Sequence, residues 1–191
     1  MPHTFAKTMF SEPAKRLQKQ HGSLAQYENM ARSGAEEQKI GPDEAEFITA
    51  RDSFYLASVT PDGWPYIQHR GGQAGFLQVL DAHTLAFADY AGNKQYITAG
   101  NLAVNDRVAL FLMDYPNRTR LKIIGHARLV EPGAEPALET RIRAPQGRTR
   151  VERIFVIDVV GFDWNCSQHI TPRYTREEIG DFFPAQESET A

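Results

Sequence analysis

Several kinds of protein are set aside by what the chain lacks. It has one cysteine, Cys166, in 191 residues. A lone thiol makes no internal disulfide and supplies no cluster of metal-binding sulfurs, which fits a reducing compartment, so the cytoplasm is the default expectation. No apolar run approaches the roughly 20 residues that span a bilayer. The opening "MPHTFAKTMFSEPAKR" has neither an apolar h-region nor a small-residue cleavage site, so no secretory leader is expected. Neither GxGxxG nor GxxxxGK[ST] occurs, which removes the two usual phosphate loops. Internal repeats and low-complexity segments are missing as well. An excess of positive charge is also missing. There are 21 Lys and Arg against 24 Asp and Glu, a net charge of −3, which argues against general affinity for nucleic acid.

The charge that is present is unevenly placed. Between Arg118 and Arg153 there are nine Lys and Arg against four Glu. Such an excess can be a solvated face, an anion pocket or a subunit contact. On "NRTRLKIIG" the period of two puts Arg118, Arg120 and Lys122 on one strand face, where they repel unless an anion or a partner chain meets them.

Residues 11–33 carry helical signals interrupted at Gly22, and "PDEAEFITAR" reads as a short helix with Pro42 in its first turn. The texture then changes to strands. "SFYLASV", the turn "TPDGWP" and "YIQHR" form one hairpin. "GFLQVL", "DAHT" and "TLAFADY" form a second, and "VALFLMD", "YPNR" and "TRLKIIGHARLV" a third. "NKQYITAGNLAVNDR" is more irregular with room for a short helix, "EPALETRIRAP" looks helical, and "RIFVIDVVGF" is a last buried strand. Hairpins without long intervening helices predict a mainly β (α+β) fold, an antiparallel barrel with peripheral helices. The expected organisation is a helical segment at 1–40 packing on a barrel at 41–180, with an unstructured tail at 181–191.

The stretch "YIQHRGGQAGFLQVLD" sets a fixed positive charge beside a bare backbone. Tyr66, Gln68 and Arg70 share one face, and Ile67 and His69 the other. Gly71 and Gly72 would let a ligand approach main chain without a Cβ in the way, and a guanidinium suits a phosphate. The competing reading is a turn or bulge with a surface arginine. In "ADYAGNKQY", Asn93 and the following N–H groups could hold an anion that Lys94 neutralises. In "FDWNCSQHITPR", Trp164 and Asn165 offer a flat ring and an amide for a planar heterocycle. The Cys166–His169 spacing, with no further ligands nearby, does not make a zinc site.

Taken together, "RDSFYLASVTPDGWPYIQHRGG", "GFLQVLDAHTLAFADYAGNKQY", "GNLAVNDRVALFL", "RLKIIGHARLV" and "DWNCSQHITPR" resemble the pyridoxamine 5′-phosphate oxidase-related FMN-binding split-barrel family. The resemblance implies a six-stranded antiparallel split barrel and a homodimer with FMN at the subunit interface. By matching position, Arg70 with Asn93, Lys94 and Gln95 would hold the phosphate, and main chain at Gln68, His69 and Gly71 would border the flavin. Arg120 would reach the FMN from the other subunit, and Trp164 and Asn165 would lie close to its ring. The chain departs from the oxidase in "GGQAGF" after the first arginine, and in "WNCSQHITPR" where the oxidase has a tryptophan followed by arginine and histidine. Vitamin B6 oxidation is therefore not the expected reaction. The resemblance implies an FMN-dependent oxidoreductase moving electrons or hydride between a reduced nicotinamide or small organic molecule and an acceptor. The alternatives are a non-catalytic flavin-binding protein and a haem-binding split barrel. No catalytic residue stands out. His69, His126 and His169 are candidates only because imidazole titrates near neutrality.

Overall fold

The computed structural model describes residues 4–33, 38–142, 150–164 and 167–182. Three helices open the chain: α1 (Thr4–Met9), α2 (Glu12–Gln20) and α3 (Leu24–Ser33). Ser11 starts α2 by accepting the Ala14 N–H, and the chain turns between α2 and α3 at Gly22. Next comes α4 (Pro42–Thr49), whose Glu44 carboxylate accepts the Gly41 N–H at 3.0 Å. None of the described helices is long and apolar enough to cross a membrane.

The sheet is built from β1 (Ser53–Val59), β2 (Pro65–Gly71), β3 (Gln78–Val79), β4 (Thr84–Tyr90), β5 (Arg107–Asp114), β6 (Thr119–Val130) and β7 (Val151–Trp164). All pairings are antiparallel and the order is β2-β1-β5-β6-β7-β4-β3. The expected fold class holds, with seven strands in place of six because the two-residue β3 adds an edge beyond β4. Two short helices, α5 (Ile97–Leu102) and α6 (Pro136–Arg141), fall where the sequence left room for them. A last helix, α7 (Arg176–Phe182), carries no sequence signal that we recognised and runs two residues into the expected tail. Residues 183–191 lie outside the described part of the chain.

The sheet curls until its two ends meet. Strands β1 and β4 are far apart in the strand order, yet the Phe54 and Phe87 rings touch edge to face at 5.3 Å. Phe87 in turn stacks on Phe155 of β7 at 4.8 Å, and Phe76 stacks on Phe54 at 5.5 Å. These rings, with Leu56, Leu85, Leu110, Leu112, Leu121 and Ile157, form the main core. Alternation explains the membership: Phe54 and Leu56, or Leu85 and Phe87, recur every second residue and point inward. Curvature has a local cause on β6 and β7. Their register shifts between Ile124 and Gly125, and a Cβ on Gly125 would sit 2.5 Å from the Asp158 carbonyl oxygen.

Helix α1 seats Phe5 and Ala6 on β7. Gln38 locks that contact, its Oε1 accepting the Phe5 and Phe162 N–H groups at 3.0 and 3.2 Å while its Nε2 donates to the Phe162 carbonyl at 2.8 Å.

Candidate functional site

At the seam where the curled sheet meets itself, the core gives way to charge. Along β4 the inward row runs Leu85, Phe87, Asp89, so a carboxylate occupies a position where the alternation calls for an apolar side chain. Along β7 the same row runs Ile157, Phe155, Arg153, and Arg153 lies directly across from Asp89. Arg70 of β2 closes the group from the far edge of the sheet. Its Nη1 donates to Asp89 Oδ1 at 2.7 Å, and its guanidinium lies over the rings of Phe155 and Phe87 at 5.0 and 5.7 Å. Arg153 Nε stands 3.5 Å from Asp89 Oδ2. Arg153 also meets Glu152 at 3.4 Å and lies over the Tyr96 ring at 4.9 Å.

Burial pushes the Asp89 carboxyl above its ordinary range, and the charges of Arg70 and Arg153 pull against that rise. Asp89 is 8% exposed, so its charge is tolerable only while both guanidiniums stay close. The arginines are not fully consumed by this arrangement. The Nε of Arg70 is buried and has no hydrogen-bond partner among the described residues.

The rim of this cleft is the loop between β4 and α5. Asn93 Oδ1 accepts the Gln95 N–H at 3.2 Å, and Lys94 and Tyr96 both adopt left-handed backbone, at φ 60° and 52°. Each such residue costs roughly 1–2 kcal/mol, a concentration of strain typical of ligand clamps. Helix α5 is pinned beneath the loop: Thr98 donates to Gln68 Oε1 at 2.9 Å, and buried Asn101 donates to Ser58 at 2.9 Å. The cleft encloses about 60 Å³, room for a small anionic group rather than a heterocycle.

Five of the sequence-expected residues therefore converge here: Gln68, Arg70, Asn93, Lys94 and Gln95 line one cleft. The others lie elsewhere on the chain. The His69 side chain turns to the opposite face of β2, against the Tyr55 ring at 5.7 Å. Gly71 is not part of the cleft lining and pairs with Ser53 at the end of β2. Its neighbour Gly72 has a packing reason to be glycine: a Cβ there would lie 2.7 Å from the Phe76 ring, and its N–H donates to the Asp52 carbonyl at 2.8 Å. The segment "GFLQVL" sends Phe76 and Leu77 into the core.

Trp164 ends β7 beside α4. Its Nε1 donates to Glu44 Oε1 at 2.9 Å, and its ring meets Phe47 edge-on at 4.8 Å. Asn165, expected next to the flavin ring, and Cys166 lie outside the described residues. Arg120 faces a second, larger cavity of about 750 Å³ on the outer side of the sheet. There its guanidinium lies 6.0 Å from the Phe111 ring and its Nε is buried without a partner among the described residues. Of the three cations expected on that strand face, Lys122 is neutralised by Asp163 across the ladder at 2.8 Å. Among the histidines, His126 pairs with Asp106 at 2.9 Å on the exposed rim of β6, and His169 sits at φ 62° beside the larger cavity.

The sequence reading missed Asp89, Arg153, Glu152, Thr98 and Asn101. A usable signal existed for the first two, since a charge in phase with Leu85 and Phe87, or with Phe155 and Ile157, breaks the apolar row.

Comparison with known proteins places this geometry in a family. The pyridoxamine 5′-phosphate oxidase family profile matches residues 40–153, more than half of the chain. Among solved structures, HupZ of Group A Streptococcus superposes with a TM-score of 0.52 at 18% identity, over 70% of this chain and 99% of that one. A Lactobacillus delbrueckii protein bearing the pyridoxamine 5′-phosphate oxidase name superposes with a TM-score of 0.51 at 19% identity, over 67% of this chain and 96% of its own. At those identities the two structures speak for the fold. No curated protein matches the chain in sequence.

Proposed function

This chain belongs to the pyridoxamine 5′-phosphate oxidase family, and on that premise we propose that it is an FMN-binding flavoprotein acting as a homodimeric oxidoreductase. The observation that carries the reading is the buried Nε of Arg70, without a partner among the described residues and set in a cleft whose rim is the strained Lys94 loop. A buried donor without an acceptor is costly, and a phosphate oxygen is the acceptor that a guanidinium fork accommodates best. Lys94 adds a second cation, and the exposed backbone at Gly92, Asn93 and Lys94 adds N–H donors around it.

Charge and volume support a second chain. Arg70, Arg153 and Lys94 face Asp89 and Glu152, so three cations against two carboxylates leave one surplus positive charge. A phosphate monoester carries about −1.5 to −2 near neutrality. One further cation balances it, and Arg120, which forms no ion pair with a described residue, is the group we assign to come from the partner subunit. The cleft of about 60 Å³ also leaves the ring system outside, to be walled by a second molecule.

Bound FMN would supply the redox chemistry. The chain's own residues would act around it. Arg70 and Lys94 bind the phosphate, Asp89 holds Arg70 in place, and the Gln68–Thr98 bond fixes the edge strand along which the ring would lie. We further assign Trp164, Asn165 and main chain at His69 and Gly71 to the ring's surroundings in the dimer, as the family resemblance implies.

The test is a visible spectrum of the purified protein after incubation with FMN and gel filtration. Broad blue and near-ultraviolet flavin bands at one FMN per chain, in a dimer, are expected, followed by bleaching with NADH or NADPH without air. A colourless monomer indifferent to FMN overturns the proposal. Retained flavin that no reduced nicotinamide bleaches would leave a flavin-binding protein without this turnover.

A further inference from the structure

The small cleft at the seam holds a feature that phosphate binding alone does not call for. Two carboxylates, Asp89 and Glu152, line it together with Arg70 and Lys94. The space is about 60 Å³, so an oxyanion that fills it comes up against the acids as well as the cations. Anion and carboxylate repel, and in a site largely shut off from water that repulsion is weakly screened. Arg120 from the partner balances the net charge but leaves this contact in place.

The two acids are held differently. Each Glu152 oxygen meets a donor at the rim, Oε1 from the Tyr96 hydroxyl at 3.3 Å and Oε2 from Arg153 Nη2 at 3.4 Å. Asp89 is buried, and its Oδ1 accepts from Arg70 Nη1 at 2.7 Å. Its Oδ2 stands 3.5 Å from Arg153 Nε, a nitrogen that makes no hydrogen bond with a described residue. One oxygen is thus engaged, and the other has room for a proton without breaking the Arg70 bond. The titratable and charged groups around Asp89 are Arg70 from β2, Arg153 and Glu152 from β7, Lys94 and Tyr96 from the loop, and Tyr90 on its own strand. Burial lifts the carboxyl toward its protonated form, Arg70 and Arg153 hold it down, and the Glu152 charge lifts it again.

We propose that Asp89 couples the cleft to pH: entry of the phosphate is accompanied by uptake of a proton at Asp89 Oδ2, and loss of that proton favours release. The inference rests on the flavin reading for the identity of the anion. In the step, a proton from solvent joins the carboxylate, no other covalent bond changes and no electron moves. The neutral carboxyl keeps Arg70 through Oδ1 and offers an O–H in place of a repelling charge. The bound anion raises the Asp89 carboxyl further in the complex than in the free protein. Affinity is therefore whole below the free value and declines as pH rises toward the value in the complex, by at most about tenfold per pH unit.

Flavin fluorescence titrations between about pH 7 and 8.5, where a phosphate monoester is already mainly a dianion, test it. Wild-type affinity for FMN is expected to fall roughly tenfold across that interval. Calorimetry in buffers of different ionisation enthalpy should find proton uptake with each FMN bound. Asp89→Asn should give a flat profile without uptake, and Glu152→Gln should keep the wild-type slope. A flat wild-type profile overturns the proposal, as does an Asp89→Asn slope equal to wild type. A slope lost in Glu152→Gln but kept in Asp89→Asn moves the proton to the other acid and overturns it too. Sulfate, a dianion throughout, probes the cleft without flavin. Its stabilisation in thermal melts, relative to chloride at equal ionic strength, should shrink as pH rises in wild type and hold steady in Asp89→Asn. Protein that takes up no FMN yet shows this sulfate signature defeats the flavin reading and leaves the proton coupling standing. FMN bound without pH dependence does the reverse, and no binding of either anion overturns both.

Discussion

The two concave regions of this molecule handle positive charge in opposite ways. In the cleft at the sheet seam, Arg70 and Arg153 are bound to an internal carboxylate, Asp89, and only fragments of their donor capacity face outward. In the outer cavity, Arg120 and Arg173 rest on aromatic rings with no carboxylate partner among the described residues. The difference follows from burial. Next to the Phe87–Phe155 stack the guanidiniums are largely shut off from water, and the fold sets a carboxylate between them. At a half-open face, an arginine keeps part of its hydration and can wait for a ligand. The paired region is thus part of what holds the sheet ends together, whereas the unpaired one can change with little effect on stability.

Breaking the pair gives the largest expected effect. Arg70→Ala strands Asp89 with one distant guanidinium, and denaturant unfolding should register a loss of about 3–5 kcal/mol. Flavin fluorescence quenching on the same variant should show FMN affinity falling about ten- to hundredfold. If stability falls and FMN affinity does not, the cleft is structural only.

A smaller effect is expected at Gly72. The new methyl of Gly72→Ala would collide with the Phe76 ring, and unfolding should register about 1–3 kcal/mol. Its FMN affinity should stay at the wild-type value, because this glycine serves packing. A selective loss of flavin would return it to the binding site.

Asp89→Asn sharpens the comparison through pH. Burial raises the folded-state carboxyl above its unfolded value, so the stability contributed by the protonated form is whole below the ordinary aspartate range and is lost as pH rises through the raised value. The amide mimics that neutral form and still accepts a bond from Arg70. Thermal melts should therefore find Asp89→Asn at or above wild type at neutral pH, with the gap closing as the solution is acidified. A variant that melts well below wild type at neutral pH would mean that the two arginines outweigh desolvation.

The smallest effect belongs to the outer cavity. Arg173→Ala removes one cation–π contact at an exposed side chain, and its unfolding free energy should move by less than about 1 kcal/mol. A large loss would show that Arg173 holds the segment after β7 in place and is not free for a ligand.

Much of this architecture was legible in the residues. The apolar texture of "SFYLASV" and "VALFLMD" marked them as strands, and the turn chemistry of "TPDGWP" set the β1–β2 hairpin. Arg70 and the 93–95 loop were found because a strand-end arginine and a Gly-Asn turn are local signals. What escaped depended on distant contacts. The packing role of Phe76 shows only once Gly72 and Phe54 are seen closing around it. That the Trp164 indole N–H would be held by Glu44, 120 residues away in the chain, has no local sign at all.

By itself, the order of apolar and polar residues determined the strands, their hairpin pairing and which faces turn inward, because a period of two is a property of the backbone. Whether a given charge is bound within the protein or left for a ligand was decided only by tertiary structure. That outcome depends on the curl of the sheet, which brings β2 against β4 and β7 and sets Arg70 on Asp89, while leaving Arg120 and Arg173 facing outward without a counter-ion among the described residues.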